Sequence, residues 1–567
     1  MSPNAGVLIR GGTVVDGTGA PGVVADVRVH EGVISEVGPS LTPEGETALD
    51  AGGAVVAPGF IDNHTHFDPS LFWDPFCDPM PQHGVTSVLI GNCSLSLAPI
   101  RPELRDGLSA VFSYIEDIPL RAFLDDVPWS WESYAEYRDA TARDGLGLNV
   151  ACLVGHTPLR LCVMGDAAWE RAATDTERAL IATLLDEALR AGAFGLSTSF
   201  FDEDAASRPV PSRLADDDEL GALFDVVSDH GAFVEFIPNL YSPSAKDEIE
   251  HIAALTGRRG ITSTWNAVIF DDQRPQRGLR ILDRAAELQA SGVSIHPQVS
   301  PRTLDALVNW ESSMAFMPLA RSWHRFVHSD SESKHRMLED PEWRATARAE
   351  WDATQGSIFP VHRPDKVRFV SVTRAENRQW LGKTLADLAA DRSRTDGERH
   401  LSDVFADWVL ANDCAAGVVV VIGNDDAEGV AGHLTHPAAL VGASDAGAHL
   451  QMFCASGDST LLLTRHVRDR ADMTLEHAVW QLSGRQAELF GFRGRGVVAP
   501  GNVADLTVFA LDELAWLPEV FVDDLPAGGG RFRRPPGGYR YTLAAGELTQ
   551  VAGDLTGARP ATVLERS

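Results

Sequence analysis

The sequence predicts an α/β fold: a (β/α)8 barrel of the TIM type, with a small β-sandwich built from both chain ends. Three observations lead to this fold class. Apolar strands alternate with amphipathic helices eight times, both ends of the chain show the pattern of β-structure, and one long segment interrupts the alternation before the last strand. A chain of 567 residues with 44% hydrophobic residues is long enough to bury such a core.

The N-terminal residues 1–59 have the pattern of short strands. The runs VLIRGGTVVDGTG and ADVRVHEGVISEVG alternate apolar and polar residues and are separated by turn-forming Gly and Asp. Residues 492–567 show the same pattern, as in DLTVF and RYTLAAGELTQV. The two ends are therefore expected to form the two parts of one β-sandwich.

Residues 60–491 carry the barrel pattern. Its eight predicted strands cover residues 60–64, 86–91, 148–155, 193–199, 232–238, 261–269, 293–299 and 439–445. Helical segments lie between them, including 175–192, 216–231 and 276–292, and each ends near a glycine. Eight βα units favour a closed barrel.

The segment from about 301 to 438 is too long for an ordinary connection between a strand and the next one. It contains aromatic helical stretches around Trp310, Trp323, Trp343 and Trp351. We expect an insertion over the barrel mouth that serves as a lid or a specificity element, with most of its tryptophans in ordinary packing.

Charge and cysteine content limit the partners and the compartment. With a net charge of -32, the surface repels nucleic acids and anionic membranes, so a small-molecule substrate is the expected partner. Six cysteines without a paired CxxC pattern favour a reducing cytoplasm, and the N-terminus has no export signal pattern. A barrel with a flanking sandwich also offers surface for a homodimer.

Two histidines at the end of the first barrel strand are the strongest candidates for a functional site. His64 and His66 are two residues apart, so both imidazoles should point to the same side, toward the barrel mouth. Imidazole is a favoured zinc ligand, and bound Zn²⁺ activates water and polarises a carbonyl. An H-x-H pair alone is often incidental, but PGFIDNHTH at a strand end is more specific.

Two further residues at predicted strand ends, and one four residues beyond the last strand, are candidates for catalysis or binding. Asp445, in LVGASDAGAH, could bind metal and carry a proton from the attacking water to the leaving amine, although such an Asp is also a common helix cap. His156 ends the third strand and could contact substrate, stabilise an oxyanion or bind metal, with a structural hydrogen bond as the alternative. His449 could orient Asp445 or face the lid.

The order of several motifs resembles a known family. PGFIDNHTH, GVTSVLIGNCSLSLAP, LVGH, GAFGLSTS, VGASDAGAH and GRGVVAPGNVADLTVF are similar to the amidohydrolase superfamily, in particular its N-acyl-D-amino-acid deacylase (D-aminoacylase) branch. The resemblance implies a metal-dependent hydrolase in which His64, His66, Cys93 and Asp445 surround the metal.

The chain departs from this family at the fifth and sixth strands, where D-aminoacylases have metal-binding histidines. Here the strands read AFVEFIPNLY and ITSTWNAVIF, and the nearest polar residues are Glu235 and Asn266. Glu235 could be an oxygen ligand, a proton donor or an interior carboxylate, and Asn266 a hydrogen-bond donor to substrate. The fourth strand offers no lysine to bridge two metals, so we expect one Zn²⁺ held by His64, His66 and Asp445, with Cys93 as a further ligand.

The substrate anchor is another departure, because no arginine occurs between Asp445 and Thr460, where the family has one. A free carboxylate calls for an arginine fork. The candidates Arg160, Arg213, Arg302 and Arg374 cannot be ranked from the sequence; we take Arg213 as a substrate-binding residue.

The expected reaction is hydrolysis of a non-peptide amide bond, most like N-acyl-D-amino-acid deacylation. A cyclic amide, lactone or enamide, or a metal-assisted decarboxylation, would use the same site. A metal-free binding scaffold is the non-enzymatic alternative.

Overall fold

The computed structural model describes residues 6–239, 245–308, 310, 321–353 and 362–566. Parts of the predicted segments lie outside the described residues. These are residues 1–5 of the N-terminal segment, 240–244 of the barrel segment, 309, 311–320 and 354–361 of the insertion, and 567 at the C-terminal end.

The strands follow one another in four groups along the chain. The N-terminal group is Val7–Val14 (β1), Val23–His30 (β2), Val33–Gly38 (β3), Thr47–Asp50 (β4) and Val55–Pro58 (β5). The barrel group is Phe60–Asp62 (β6), Val85–Ile90 (β7), Asn149–Gly155 (β8), Gly195–Ser199 (β9), Phe233–Ile237 (β10), Thr262–Trp265 (β11) and Ile295–Val299 (β12). Next come Leu304–Leu307 (β13), Val367–Phe369 (β14), Val418–Gly423 (β15) and the eighth barrel strand Leu440–Val441 (β16). The last group is Leu506–Phe509 (β17), Val520–Val522 (β18), Arg531–Arg533 (β19), Tyr541–Ala544 (β20), Glu547–Val551 (β21) and Asp554–Leu555 (β22).

The α-helices lie between the barrel strands, in the insertion and after β16. Those between β7 and β12 are Arg105–Glu116 (α1), Leu120–Asp126 (α2), Tyr134–Ala142 (α3), His156–Met164 (α4), Asp175–Arg190 (α5), Asp217–Asp229 (α6), Ala245–Gly257 (α7) and Gln276–Ala290 (α8). Between β13 and β16 lie Arg321–Val327 (α9), Ser331–Glu339 (α10), Pro341–Ala353 (α11), Leu385–Asp396 (α12), Leu401–Leu410 (α13) and Ala427–Leu434 (α14). Asp458–Leu461 (α15), Leu475–Leu482 (α16) and Gly484–Phe490 (α17) follow β16, with a π-helical turn at Leu462–Asp469.

The eight barrel strands form one parallel sheet in the order β16-β12-β11-β10-β9-β8-β7-β6. Its two ends meet at an isolated parallel bridge between Thr65 and Ala446. Two backbone hydrogen bonds support this junction, from Asp445 N–H to His64 O (3.1 Å) and from His66 N–H to Ala446 O (2.8 Å). The predicted parallel barrel is confirmed.

The barrel helices form where local signals and apolar spacing agree. In α5, Thr174 and Glu177 make a reciprocal capping box at the start, and Ile181, Leu185 and Leu189 are buried at helical spacing. The predicted helices at 175–192, 216–231 and 276–292 correspond to α5, α6 and α8.

The last barrel strand is shorter than predicted. It was expected to run to Asp445 but ends at Val441, because the chain then turns away from the sheet. Ala443 has a φ of +55°, and its N–H donates to the Gln298 side chain (2.8 Å) instead of a strand backbone. Asp445 therefore lies in the loop beyond the strand, where the hydrogen bond to His64 O holds it.

The insertion has a small sheet and a core of its own. The antiparallel strands β13 and β14 flank β15, and the buried Trp323, Trp351 and Trp408 pack with apolar side chains from α9 to α13. A hydrogen bond from the Leu307 N–H to the Met452 carbonyl (3.1 Å) connects it to the loop that carries Asp445. The last helix, α14, packs instead on α8 of the barrel.

The two ends of the chain share one sheet. Nine strands form it, in the order β22-β21-β20-β17-β5-β1-β2-β3 with β4 beside β1. The antiparallel pairing of β5 with β17 joins the ends, and a separate apolar core lies against the sheet. Among the described residues, no helix is long and apolar enough to cross a membrane.

Candidate metal centre

The first barrel strand leads directly into the two predicted histidines. His64 and His66 follow β6, are fully buried, and have ring centroids 5.3 Å apart. Burial lowers the pKa of His64 to about 3 and holds the pKa of His66 well below its usual value. Both imidazoles are therefore in the neutral form that binds metals.

Cys93, which follows β7, faces both imidazoles. Its Sγ lies 3.3 Å from His64 Nε2 and 3.6 Å from His66 Nε2. Its backbone has a φ of +59°, and its N–H donates to Glu235 Oε2 (3.0 Å). One donor atom from each of His64, His66 and Cys93 lies within 4.8 Å of the others, so these residues could hold one ion.

Asp445 completes the group from the opposite edge of the sheet. Its Oδ1 lies 3.2 Å from His64 Nε2 and 3.9 Å from His66 Nε2. Burial raises the pKa of Asp445 to about 7, a shift that Arg302 opposes. The Asp445 side chain is 25% exposed whereas both histidines are nearly inaccessible, so Asp445 is the member of the group that a substrate can reach.

The donor set fits a zinc ion. Two imidazole nitrogens, a sulfur and a carboxylate oxygen are zinc ligands, and around a tetrahedral ion such atoms are separated by about 3.3–3.7 Å. The distances from His64 Nε2 to Cys93 Sγ (3.3 Å) and to Asp445 Oδ1 (3.2 Å) are close to this spacing. Glu116 and Glu235 are also buried beside the group, and burial raises the pKa of each carboxyl well above its usual value. A cation would offset the cost of burying these acidic groups together.

Glu116 is a site residue that the sequence reasoning missed. Its Oε1 lies 3.4 Å from His66 Nδ1 and has no hydrogen-bond partner among the described residues. A metal-bound imidazole commonly directs its other nitrogen at such a carboxylate. The available signal was a carboxylate on the apolar face of α1, four residues after the buried Phe112.

Glu116→Gln is expected to weaken zinc binding about 10–100-fold, the usual cost of losing a carboxylate that supports a ligating histidine. Competition with a chromophoric chelator measures the affinity. Glu103→Gln is the matched control, since Glu103 lies just before the same helix with its side chain 63% exposed. Equal zinc affinity in Glu116→Gln and the control would show that Glu116 does not support His66.

Glu235 and Asn266 lie beside His64, where the sequence placed them as substitutes for histidines. Glu235 Oε1 is 4.0 Å from His64 Nδ1, and Asn266 Nδ2 is 3.4 Å from His64 Nε2. His449 joins the group through its backbone, which donates to the Glu116 carbonyl, and its ring packs against Phe453 with centroids 5.3 Å apart.

His156 is held by another set of residues. Its Nδ1 lies 3.0 Å from Thr198 Oγ1 and its Nε2 lies 2.9 Å from Glu219 Oε1, so both ring nitrogens are engaged. Glu219 also pairs with the fully buried Arg160. These partners favour the structural alternative for His156 over the expected contact with substrate or metal, because no ring nitrogen is left for either.

Glu219→Gln is expected to destabilise the fold by about 3–5 kcal/mol, because it leaves the Arg160 guanidinium buried without its counter-charge. Denaturant unfolding followed by fluorescence measures this loss. Glu513→Gln removes the exposed partner of Arg540 and should cost less than about 1 kcal/mol. A loss of activity in Glu219→Gln at unchanged stability would instead favour a catalytic role for His156.

The structure separates the four candidate arginines. Arg213 donates to the carbonyls of Phe201 and Asp202, Arg160 pairs with Glu219, and Arg374 pairs with Asp413 in the insertion. Arg302 donates to the carbonyl of Ser444, the residue before Asp445 (3.3 Å).

Comparisons with known proteins identify the family to which the chain is similar. The sequence model of the amidohydrolase family matches residues 47–550 of this chain. An uncharacterized protein of Mycobacterium tuberculosis is 29% identical over 547 residues, covering 88% of this chain and 84% of that protein. The D-aminoacylase of Alcaligenes xylosoxydans xylosoxydans is 28% identical over 507 residues, covering 89% and 87%.

A solved structure is similar over nearly the full length. It is the N-acyl-D-glutamate deacylase of Bordetella bronchiseptica, complexed with zinc and a phosphonate inhibitor that mimics the tetrahedral intermediate. It has a TM-score of 0.66 and 25% identity, and the match covers 99% of both chains. Together these matches confirm the resemblance that the sequence motifs indicated.

Proposed function

The chain belongs to the amidohydrolase family, hydrolases of carbon–nitrogen bonds other than peptide bonds, and we propose that it removes the acyl group from N-acyl-D-amino acids with one bound zinc ion. The observation that carries this proposal is the convergence of His64, His66 and Cys93 on one point, with Asp445 Oδ1 3.2 Å from His64 Nε2 and 3.9 Å from His66 Nε2. The full-length similarity to D-aminoacylase and to N-acyl-D-glutamate deacylase supports the substrate class.

The proposal of a single ion rests on the residues beside the cluster. A second ion would need its own ligands, and the fifth and sixth strands supply Glu235 and Asn266 at that point. The neutral amide of Asn266 is a poor zinc ligand, and one carboxylate oxygen of Glu235 already accepts the Cys93 N–H. Glu235 instead restrains the Cys93 backbone through this hydrogen bond, and the Asn266 amide lies against the His64 ring.

Zinc bound by this cluster would act as a Lewis acid that activates water and polarises the scissile carbonyl. Asp445 provides the proton transfer: its carboxylate accepts a proton from the attacking water and returns it to the leaving nitrogen. The neutral imidazoles of His64 and His66 are free of protons at Nε2 when they serve as ligands.

The direct test is a substrate panel with the zinc-loaded full-length protein. N-acetyl-D-amino acids, their L enantiomers, cyclic amides and lactones are compared by amine or acid release. We expect turnover of N-acetyl-D-amino acids, little turnover of L enantiomers, and about one zinc per chain by elemental analysis. Turnover confined to cyclic amides or lactones would overturn the substrate class, and full activity without bound metal would overturn the mechanism.

We also propose a cytoplasmic enzyme, since all six cysteines are free thiols, as is usual in reducing compartments. We further propose that the substrate is a small molecule and that the enzyme is a homodimer. Cell fractionation and light scattering measure compartment and oligomeric state.

A further inference from the structure

Arg302 stands out among the charged residues near Asp445, because its guanidinium is buried and only partly paired. It lies three residues beyond β12, and its side chain is 4% exposed. The loop around it is fixed: the Arg302 N–H donates to Ser300 Oγ (3.2 Å), and Ser300 Oγ donates to Asp458 Oδ2 (2.8 Å). The guanidinium therefore cannot easily turn toward solvent.

The guanidinium is held on several sides. Its Nη2 donates to Ser444 O (3.3 Å), its Nε lies 3.5 Å from Asp458 Oδ1, and its Cζ lies 4.4 Å from the centre of the Phe453 ring. Contact with Ser444 places this charge one residue from Asp445. The stacking on Phe453 fixes the plane of the fork.

Two of its nitrogens have no hydrogen-bond acceptor in the part of the chain that the structure describes. These are Nε, whose contact with Asp458 lacks hydrogen-bond geometry, and Nη1. Buried charged donors are rarely left without an acceptor, because the loss of hydration is then uncompensated. His449, which packs on the same Phe453 ring, likewise has a buried Nδ1 without a partner among the described residues.

We propose that Arg302 binds the free carboxylate of the substrate, as a specificity-determining residue that takes the place of the arginine missing between Asp445 and Thr460. A carboxylate is the acceptor that a guanidinium fork fits best, and it would meet the unpartnered Nη1. The position is consistent with the reaction, since Arg302 contacts Ser444, the residue before Asp445. This inference rests on the proposed function and refines it by naming the residue that recognises the carboxylate of the substrate.

The test compares each N-acetyl-D-amino acid with its carboxamide, which has the same scissile bond but no negative charge. In the wild-type enzyme, kcat/KM should favour the acid. Arg302→Met should lower kcat/KM for the acid about 100-fold and change it less than about threefold for the carboxamide. Arg302→Lys keeps the charge but not the fork. Its kcat/KM for the acid should fall between the values of the wild type and Arg302→Met.

Two other arginine variants make the comparison specific. Arg465→Met removes a charge that contacts the same loop, through its hydrogen bond to Pro301 O (3.3 Å), and should leave the acid-to-carboxamide ratio as in the wild type. Arg213→Met tests the competing candidate. If Arg213→Met loses the preference for the acid over the carboxamide and Arg302→Met keeps it, the proposal is overturned. Zinc content and the unfolding midpoint are measured for every variant.

The outcomes also separate this inference from the function on which it rests. If the wild type does not hydrolyse N-acetyl-D-amino acids, the proposed function fails. If it does, and Arg302→Met and Arg302→Lys lower both substrates by the same factor, the function stands and Arg302 has only a structural role beside Asp458. If Arg302→Met fails to fold, the acid-to-carboxamide ratio of kcat/KM in Arg302→Lys decides between carboxylate binding and a structural role: a lowered ratio supports carboxylate binding, and an unchanged ratio overturns it.

Discussion

Asp445→Asn is expected to lower kcat by about 10²–10⁴-fold, the usual contribution of a positioned acid–base group. An amide cannot accept the proton of the attacking water, although it keeps the size of the carboxylate. The side chain is the accessible member of the cluster, while His64, His66 and Cys93 remain to hold zinc. Much of the zinc should therefore be retained, and the loss should appear mainly in kcat.

This result is measured by steady-state kinetics on the best N-acetyl-D-amino acid, together with elemental analysis. Asp413→Asn is the control, because Asp413 pairs with Arg374 in the insertion at 49% exposure. A kcat of Asp445→Asn within threefold of the control would exclude Asp445 as the proton carrier. Complete loss of zinc would show that its main role is to bind metal.

His64→Asn should remove both zinc and activity. His64 Nε2 lies close to both Cys93 Sγ and Asp445 Oδ1, so its loss leaves an incomplete set of ligands. The fall in affinity should exceed the roughly 10–100-fold cost of losing a residue that only supports a ligand. Chelator competition and residual turnover in zinc-supplemented buffer measure the two effects.

His296→Asn provides a matched control for that variant. His296 lies on the barrel strand β12, and its ring contacts Ser294 and Gln289 rather than the cluster. It should bind zinc as the wild type does. Full activity of His64→Asn with normal zinc content would contradict the proposed centre.

The barrel and much of the cluster could be predicted because their signals are local. The eight apolar segments had turn residues around them, and H-x-H at a strand end places two imidazoles on one side. Asp445 was predicted from its position at the end of the last predicted strand, and Cys93 came from the family resemblance. The structure brings both to the histidines, but it places Asp445 in a loop rather than in a strand, because Gln298 takes over the backbone N–H that would have extended the strand.

Other residues were beyond the reach of a sequence pattern. Glu116 resembles any helical carboxylate until the packing of α1 places its Oε1 3.4 Å from His66 Nδ1. His156 had the same strand-end position as a catalytic residue, yet Glu219 and Thr198, distant in sequence, occupy both its nitrogens. Arg302 could not be separated from three other arginines.

The sequence by itself determined the barrel, the family and the two first-strand histidines, since periodicity and short motifs depend on neighbouring residues. Only the tertiary structure decided which distant charges meet at the metal centre. The reason is physical: burial, hydrogen-bond geometry and the pairing of charges depend on contacts such as that between Arg302 and Ser444, which are 142 residues apart.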